Sequence, residues 1–279
     1  MFSTLVSVEE LAGHLNDSDW IVCDCRHDLT SYDAGRDAFD QSHIPGARFL
    51  HLDEDLSGPK TGSNGRHPLP HPRSFALRLG ALGVDSAKQV IAYDASGGYY
   101  AARLWWMLRW IGHTRAAVLD GGWDAWNASA LPVTSEPSSI QPAAYTLRPR
   151  PELSVDTAFV AAHLTDGAIT VVDARSSDRF RGENESLDPI GGHIPGAENR
   201  FFRLNLEADG RFKQPHVLKQ EFTGLLRNAP PSRVVHQCGS GVTACHNLLA
   251  MEHAGLSGSR LYPGSWSEWI SDRSRPVAR

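Results

Sequence analysis

The sequence predicts an α/β protein made by tandem duplication of one domain, each copy a mainly parallel sheet flanked by helices. Its 279 residues are enough for two hydrophobic cores. Four motifs recur in the same order, at offsets between 143 and 150 residues. In each half, short apolar runs rich in β-branched residues alternate with helical patterns, which is typical of parallel sheets covered by helices.

The recurring motifs justify the duplication in chain order. Each motif has one copy in the first half and one in the second. The matched pairs are 20–26 with 170–175, the His-Ile-Pro-Gly-Ala strings at 43–47 and 193–197, 90–94 with 234–238, and 121–126 with 263–269. The first match pairs Asp24 with Asp173 and Arg26 with Arg175. This recurrence predicts the same structural ion pair in both copies.

A stretch rich in proline and serine separates the two copies. Its prolines lie at positions 132, 137, 142, 149 and 151, which indicates a linker. We therefore predict domains at residues 1–135 and 152–279, joined by a linker at residues 136–151. In the first domain, residues 101–110 are apolar on almost every side, which predicts a buried helix.

Composition excludes several functional classes. The hydrophobic fraction of 41% and the charged fraction of 21% are those of an ordinary globular protein. The net charge is −5 and the basic residues are scattered, so we expect no nucleic-acid partner. No apolar run approaches the ~18 residues of a membrane helix. The N-terminus lacks a signal pattern and the four cysteines form no disulfide framework, so we expect a cytoplasmic protein without membrane contact.

The strongest chemical signal is a cysteine between a strand pattern and a helix pattern, at the start of the string Cys-Gly-Ser-Gly-Val-Thr. Glycines let such a loop turn its backbone N–H groups inward, and the helix adds the positive end of its dipole. Both effects stabilise a thiolate, which predicts that Cys238 is a nucleophile. The N–H groups of Gly239, Gly241, Val242 and Thr243 are the expected anion-binding groups. The alternative is that Cys238 is a small buried hydrophobic residue.

This loop and the repeated His-Ile-Pro-Gly-Ala string resemble the sulfurtransferases of the rhodanese superfamily. The loop is more similar to the mercaptopyruvate type than to the thiosulfate type, whose loop carries basic residues after the cysteine. The resemblance covers essentially the whole chain, and two-domain members carry the cysteine only in the C-terminal copy. Here the first copy has Asp94 at the aligned position. A carboxylate cannot take up sulfur, so the first domain is expected to be catalytically inactive.

The resemblance implies a transfer of sulfur through a Cys238 persulfide. The donor is a small anion, with 3-mercaptopyruvate preferred and thiosulfate as the alternative. The acceptor is cyanide in the test tube, and a thiol or a thioredoxin-like protein in the cell. No cofactor is expected, and the chain has no metal-ligand spacing of the Cys-x-x-Cys or His-Glu-x-x-His type.

Further site residues follow from the same resemblance. Asp53 and His67 lie where mercaptopyruvate-type enzymes supply a His–Asp pair, which with Ser240 would form a Ser–His–Asp relay. Arg179 matches the substrate-binding arginine, since an anionic donor requires a guanidinium.

The chain departs from this pattern at one place. A second substrate arginine is expected nine residues after the first, and that position is Asp188. Arg181 and Arg200 are the candidates to replace it. The departure weakens the assignment to mercaptopyruvate without supporting thiosulfate, because the loop after the cysteine has no basic residue either.

Two other functional classes predict different residues at or near this loop. Cysteine phosphatases of a related fold end their loop with an arginine, where this chain has Ala244. A non-catalytic persulfide carrier or redox-sensing module would use Cys245 as a resolving thiol, and a disulfide between Cys238 and Cys245 would favour that class. We expect instead that Cys245 is a buried helix residue and that Cys23 and Cys25 belong to the core.

Overall fold

The computed structural model describes residues 1–279, which form two compact units. The first unit comprises Met1–Gly58, Leu69–Arg150 and Ala208–Phe212, and the second comprises Pro59–Pro68, Pro151–Glu207 and Lys213–Arg279. None of the helices combines the length and the apolar composition required to cross a bilayer.

The first unit contains a sheet of five parallel strands in the order β1-β5-β4-β2-β3. The strands are β1 (Leu5–Val6), β2 (Trp20–Asp24), β3 (Arg48–Phe49), β4 (Gln89–Tyr93) and β5 (Ala116–Leu119). The central strands β2 and β4 are buried along almost their whole length. Buried, β-branched strands of this kind are expected where helices cover both faces of a parallel sheet.

Five helices belong to the first unit. They are α1 (Val8–Gly13), α2 (Ala34–Gln41), α3 (Pro72–Ala81), α4 (Tyr99–Trp110) and α5 (Gly122–Ala128). Helix α1 begins at a capping box in which Ser7 and Glu10 exchange hydrogen bonds. Helix α4 is buried on nearly every side, which confirms the prediction made from its apolar composition.

The second unit contains a sheet of four parallel strands in the order β7-β6-β8-β9. The strands are β6 (Thr170–Asp173), β7 (Glu198–Asn199), β8 (Val234–Gln237) and β9 (Arg260–Leu261). The helices are α6 (Thr157–Ala162), α7 (Ser177–Phe180), α8 (Pro215–Leu225), α9 (Thr243–His253) and α10 (Ser265–Trp269). A parallel bridge from Ser154 to Leu261 stands where β1 pairs with β5 in the first unit.

The two units repeat one architecture, as the sequence predicted. The strand order of the second sheet matches that of the first, and the tryptophans of α5 and α10 occupy equivalent positions. Trp126 and Trp269 are both fully buried in their own core. Each donates its indole N–H to a proline carbonyl a few residues later, Pro132 at 3.0 Å and Pro276 at 2.9 Å.

The predicted Asp–Arg ion pair is present in both copies. The Arg26 guanidinium binds the Asp24 carboxylate with a shortest N–O distance of 2.7 Å, and Arg175 binds Asp173 at 2.6 Å. All four residues are buried, and each aspartate ends a central strand. Each ion pair fixes the conformation at the end of its strand. Removing one partner would be costly, because it would leave the other charge buried and unpaired.

Each unit contains a segment from the other half of the sequence, which the motifs did not predict. In the second unit, Pro59–Pro68 is bound by a hydrogen bond from the Arg66 N–H to Ser267 Oγ at 3.1 Å. In the first unit, the last residue of Ala208–Phe212 donates its N–H to Asp120 Oδ1 at 2.8 Å.

Residues 136–150 form no helix or strand. They belong to the first unit, where the Ala143 N–H donates to the Gly80 carbonyl at 2.8 Å and the Arg150 N–H to the Trp110 carbonyl at 2.7 Å.

Candidate active site

Cys238 follows the last residue of β8 and precedes α9, at the carboxyl end of the central strand. The residue is only 2% exposed. The Gly241 N–H donates to Cys238 Sγ at 3.1 Å, so the loop closes over the sulfur. Gly241 has a φ of +78°, and a Cβ there would lie 2.3 Å from the Pro263 carbonyl oxygen, so only glycine fits. The first turn of α9, which begins at Thr243, follows at once.

The cysteine loop is held in place by the first turn of α10. The Trp266 N–H donates to the Cys238 carbonyl at 3.0 Å, and the Ser267 N–H donates to the Gly239 carbonyl at 2.9 Å. The Cys238 N–H in turn donates to Ser265 Oγ at 3.1 Å. These bonds satisfy the polar groups of a buried loop and fix the position of the sulfur.

Ser265 is a site residue that sequence reasoning missed. Its φ of +54° is in the left-handed region, which is unusual for a residue with a side chain. Its hydroxyl donates to the Tyr262 carbonyl at 2.9 Å while accepting from Cys238, and these bonds offset the strain. The available signal was the repeat, which aligns Ser265 with Gly122, whose φ is +57°.

In the first unit, the equivalent loop is closed by its own carboxylate. Asp94 accepts hydrogen bonds from four backbone N–H groups at 2.7 to 2.9 Å. The donors are Ser96, Gly98, Tyr100 and Ala101. Burial raises the pKa of Asp94, and the four N–H donors oppose that rise. The backbone N–H groups of this loop are therefore already occupied by the Asp94 carboxyl group.

The structure brings His67 to Ser240. His67 Nδ1 lies 2.7 Å from Ser240 Oγ, and both residues are buried. They are 173 positions apart in sequence, and they meet because Pro59–Pro68 belongs to the second unit. Ser240 is two residues after Cys238, so the imidazole lies beside the cysteine loop.

Asp53 belongs to the first unit, in the polar turn after β3. Its Oδ2 atom lies 4.0 Å from His27 Nε2, at the limit of an ion pair. Burial lowers the pKa of His27, and the neighbouring His51 lowers it further.

Arg179 lies at the cysteine loop. Its Nη2 atom is 3.6 Å from the point that a Cβ on Gly239 would occupy. Its guanidinium is bound by Glu185 through Nε at 3.1 Å and Nη2 at 2.7 Å, and Nη2 also lies 3.5 Å from Asp188 Oδ2. Arg175 reaches Glu185 at 3.3 Å. The guanidinium expected to bind substrate is thus oriented by two carboxylates.

These two carboxylates respond differently to their surroundings. Burial disfavours ionisation of Glu185, but hydrogen bonds from Arg179 and from the Leu187 N–H outweigh it and hold the pKa below its usual value. Burial raises the pKa of Asp188, although the positive charges of Arg66 and Arg179 oppose the rise.

Arg181 and Arg200, the candidates to replace the second substrate arginine, are both already paired with carboxylates. Arg181 is exposed and pairs with Glu183 at 2.7 Å. Arg200 is buried, donates to Asn205 Oδ1 at 3.0 Å and pairs with Glu221 at 2.7 Å. A different guanidinium, that of Arg66, instead forms an ion pair with Asp188.

None of the four cysteines forms a disulfide. Cys245 lies in the first turn of α9, fully buried, and its Sγ donates to the Gly241 carbonyl at 3.3 Å. It is thus a buried helix residue, as predicted. Cys23 in β2 and Cys25 just after it are also buried, and burial raises the pKa of the Cys23 thiol to about 12. Neither thiol is suited to chemistry at neutral pH.

Comparison with known proteins accounts for both halves of the chain. The family model described as "Rhodanese-like domain" matches residues 7–129 and again residues 156–272. The two matched segments contain the Asp94 loop and the Cys238 loop respectively.

Individual relatives extend over nearly the whole chain. A Pseudomonas aeruginosa protein named "Probable 3-mercaptopyruvate sulfurtransferase" is 46% identical, covering 98% of this chain and 97% of its own length. The thiosulfate sulfurtransferase of Cricetulus griseus is 35% identical, covering 84% of this chain and 80% of its own. The structure of 3-mercaptopyruvate sulfurtransferase from Leishmania major has a TM-score of 0.85 at 33% identity, covering 96% of this chain and 74% of that one.

Proposed function

The chain belongs to the rhodanese family and is a sulfurtransferase, and on that premise we propose that it moves sulfur from 3-mercaptopyruvate to a small acceptor through a persulfide on Cys238. The observation that supports the proposal is the set of polar groups around the Cys238 sulfur. Its loop donates the Gly241 N–H to the sulfur at 3.1 Å, and a hydrogen-bonded His67–Ser240 pair lies beside it.

In the first step, the Cys238 thiolate attacks the sulfur of 3-mercaptopyruvate. An S–S bond forms and the C–S bond of the donor breaks, leaving its electron pair on carbon as the enolate of pyruvate. The proton lost by the donor sulfur is delivered to that carbon, which gives pyruvate. His67 and Ser240 are the groups within reach to relay it, and Asp53 is proposed to orient His67.

In the second step, the acceptor attacks the outer sulfur of the persulfide. The S–S bond breaks and its electrons return to Cys238 as the thiolate. With cyanide the product is thiocyanate, and a thiol or thioredoxin-like protein would take the sulfur in the cell. The N–H groups of residues 239–243 stabilise negative charge on the sulfur in both steps, as an oxyanion hole does.

The charge balance at the loop supports 3-mercaptopyruvate over thiosulfate. Arg66 and Arg179 lie against the loop, and Asp188 and Glu185 pair with them, so the four formal charges cancel. A site without net positive charge is better matched to a monoanion such as 3-mercaptopyruvate than to the thiosulfate dianion. Arg179 then binds the donor carboxylate.

The first copy would contribute no nucleophile, because Asp94 holds the position of Cys238 and already occupies its cradle. We propose sequence domains at residues 1–135 and 152–279, joined by a linker at 136–151 most of which packs on the first unit. A cytoplasmic location fits a reaction that depends on a reduced thiol.

Turnover rates with the two donors test the proposal. The expected result, with cyanide as acceptor, is a higher kcat/KM for 3-mercaptopyruvate than for thiosulfate. Cys238→Ser should abolish both activities, whereas Cys245→Ser, a matched loss of a thiol in the same region, should retain them. Faster turnover of thiosulfate would make this a thiosulfate sulfurtransferase. Turnover that survives in Cys238→Ser would refute the mechanism, and absence of turnover with both donors would favour a persulfide carrier or redox sensor.

A further inference from the structure

His51 lies in the first unit, at the start of the polar turn that carries Asp53. The turn follows β3 and spans residues 52–55. The His51 Nδ1 atom accepts the backbone N–H of Asp53 at 3.1 Å and that of Glu54 at 3.3 Å. His51 is only 1% exposed. The imidazole therefore takes the place that a serine, asparagine or aspartate side chain usually takes when it caps a helical turn.

Both ring nitrogens of His51 are committed. Because Nδ1 accepts two N–H groups it carries the lone pair, and the ring proton is on Nε2. Nε2 donates to the Tyr32 carbonyl at 2.9 Å. The Tyr32 ring also packs against the imidazole, with the two ring centroids 4.4 Å apart. The imidazole is thus fixed in one orientation, with its acceptor atom directed at the turn.

A second side chain closes the same turn from its other end. The His51 N–H donates to Asp55 Oδ2 at 2.8 Å, and the His51 carbonyl accepts the Asp55 N–H at 2.9 Å. Asp55 Oδ1 in turn accepts from Arg78 Nε of α3 at 2.6 Å. The backbone of Asp53 is therefore held between two side chains that cap the turn reciprocally.

The Asp53 carboxylate is directed from this turn towards the end of β2. Its Oδ2 atom lies 4.0 Å from His27 Nε2, and the Asp53 side chain is 21% exposed. The His27 ring meets the His51 ring edge-on, with centroids 5.1 Å apart. A carboxylate on a side chain as short as that of aspartate follows its backbone. The bond from the Asp53 N–H to His51 therefore limits where this carboxylate can reach.

From this geometry we propose that His51 is a positioning residue for Asp53, whose carboxylate orients His67 in the cleavage of the sulfur donor. The inference rests on the proposed function, because it concerns the relay through His67 and Ser240 in that reaction. Loss of the Nδ1 acceptor would leave two N–H groups without their partner and let the turn relax. A displacement of about 1 Å in a positioning group can lower a rate roughly 100-fold.

Two conservative variants separate the two ring nitrogens of His51. Asparagine places an acceptor oxygen near the position of Nδ1, whereas glutamine places its amide near Nε2 and offers no acceptor at Nδ1. Single-turnover formation of the persulfide from 3-mercaptopyruvate should stay close to the unmodified rate in His51→Asn and fall roughly 10- to 100-fold in His51→Gln. The loss should fall on the rate constant and not on the donor concentration that gives half of it.

Transfer from a preformed persulfide to cyanide should change little in either variant, because the relay acts in donor cleavage. The asparagine variant keeps both caps of the turn, so it tests the inference even where glutamine loosens the fold. A fall in His51→Asn as large as that in His51→Gln would overturn the inference, and so would equal slowing of both half-reactions.

His71→Gln is the matched control. The His71 Nδ1 atom accepts the Arg73 N–H at 3.2 Å at the start of α3, so this variant removes the same kind of bond in the same unit, away from Asp53. Persulfide formation should keep its rate. A loss equal to that of His51→Gln would show that the effect is not specific to the turn of Asp53 and would overturn the inference.

A double variant tests whether His51 acts through Asp53. Adding His51→Gln to Asp53→Asn should slow persulfide formation little further, because both substitutions disable the same group. Fully additive losses would overturn the inference. An unchanged rate in Asp53→Asn alone would refute the relay role of Asp53 and the role of His51 with it, and would leave sulfur transfer by Cys238 intact. Failure of the unmodified protein to form a persulfide would instead refute the proposed function.

Discussion

Replacing Asp94 by asparagine tests whether these loops are anion cradles. The Asp94 carboxylate accepts four backbone N–H bonds, two on each oxygen. Asparagine keeps one oxygen for two of those donors and turns its NH2 group towards the other two. The variant therefore loses two hydrogen bonds to a charged acceptor, which are worth ~3–6 kcal/mol together. We expect its free energy of unfolding to fall by about that amount, from the ~5–15 kcal/mol that stabilises a typical domain.

Hydrogen exchange is the most direct readout for this variant, because a two-unit protein need not unfold in a single step. In Asp94→Asn, the amides of residues 96–101 should exchange much faster, and urea should unfold the first unit at a lower concentration. Asp40→Asn, a change of the same kind on the exposed side of α2, should alter stability by no more than ~0.5 kcal/mol.

A loss of less than ~1 kcal/mol in Asp94→Asn, with unchanged exchange at residues 96–101, would refute the reasoning. It would mean that the four N–H groups do not depend on a negative charge. The first copy would then give no support for stabilisation of the Cys238 thiolate by the N–H groups of the equivalent loop.

Two other predictions concern the second unit. Ser240→Ala removes the hydroxyl that lies 2.7 Å from His67, so single-turnover formation of the persulfide should slow by roughly tenfold, whereas transfer from a preformed persulfide to cyanide should change much less. Equal slowing of both steps would contradict a role in donor cleavage. Burial lowers the pKa of His236 to about 3, so between pH 6.5 and pH 3 the unfolded chain binds a proton that the folded protein does not. The free energy of unfolding should therefore fall as the pH falls through this range, by up to ~1.4 kcal/mol per pH unit, and His236→Leu should flatten that dependence in urea titrations. An equally steep dependence in His236→Leu would show that other groups cause it.

The duplicated fold could be predicted from the sequence because the repeated motifs mark the ends of strands. The Asp24–Arg26 pair, for example, recurs as Asp173–Arg175 at the end of the equivalent strand. Helix α4 could be predicted as buried because its apolar residues leave no polar side. Such features depend on residues close together in the sequence.

The exchange of Pro59–Pro68 and Ala208–Phe212 could not be predicted from the motifs, although the resemblance did pair His67 of the first segment with Ser240. These segments are irregular, without hydrophobic periodicity, and their partners are set by tertiary contacts alone.

The candidate site likewise contains some features that the local sequence predicts and others that depend on contacts between distant residues. Cys238 could be predicted as the candidate nucleophile from its local context, since glycines and the start of a helix surround it. The ion pair between Arg66 and Asp188 joins residues 122 positions apart and leaves no local pattern. The left-handed conformation of Ser265 was also hidden, because serine rarely adopts it and only the alignment with Gly122 indicates it.

The mass of the cysteine loop after reaction with donor tests the central claim most directly. The protein would be treated with 3-mercaptopyruvate without acceptor, and then digested and analysed by mass spectrometry. A Cys245→Ser background is needed, because no lysine or arginine separates that residue from Cys238. We predict one additional sulfur atom on Cys238, lost on addition of cyanide. Pyruvate release with the added sulfur on Cys23 or Cys25, or on no cysteine, would contradict the account.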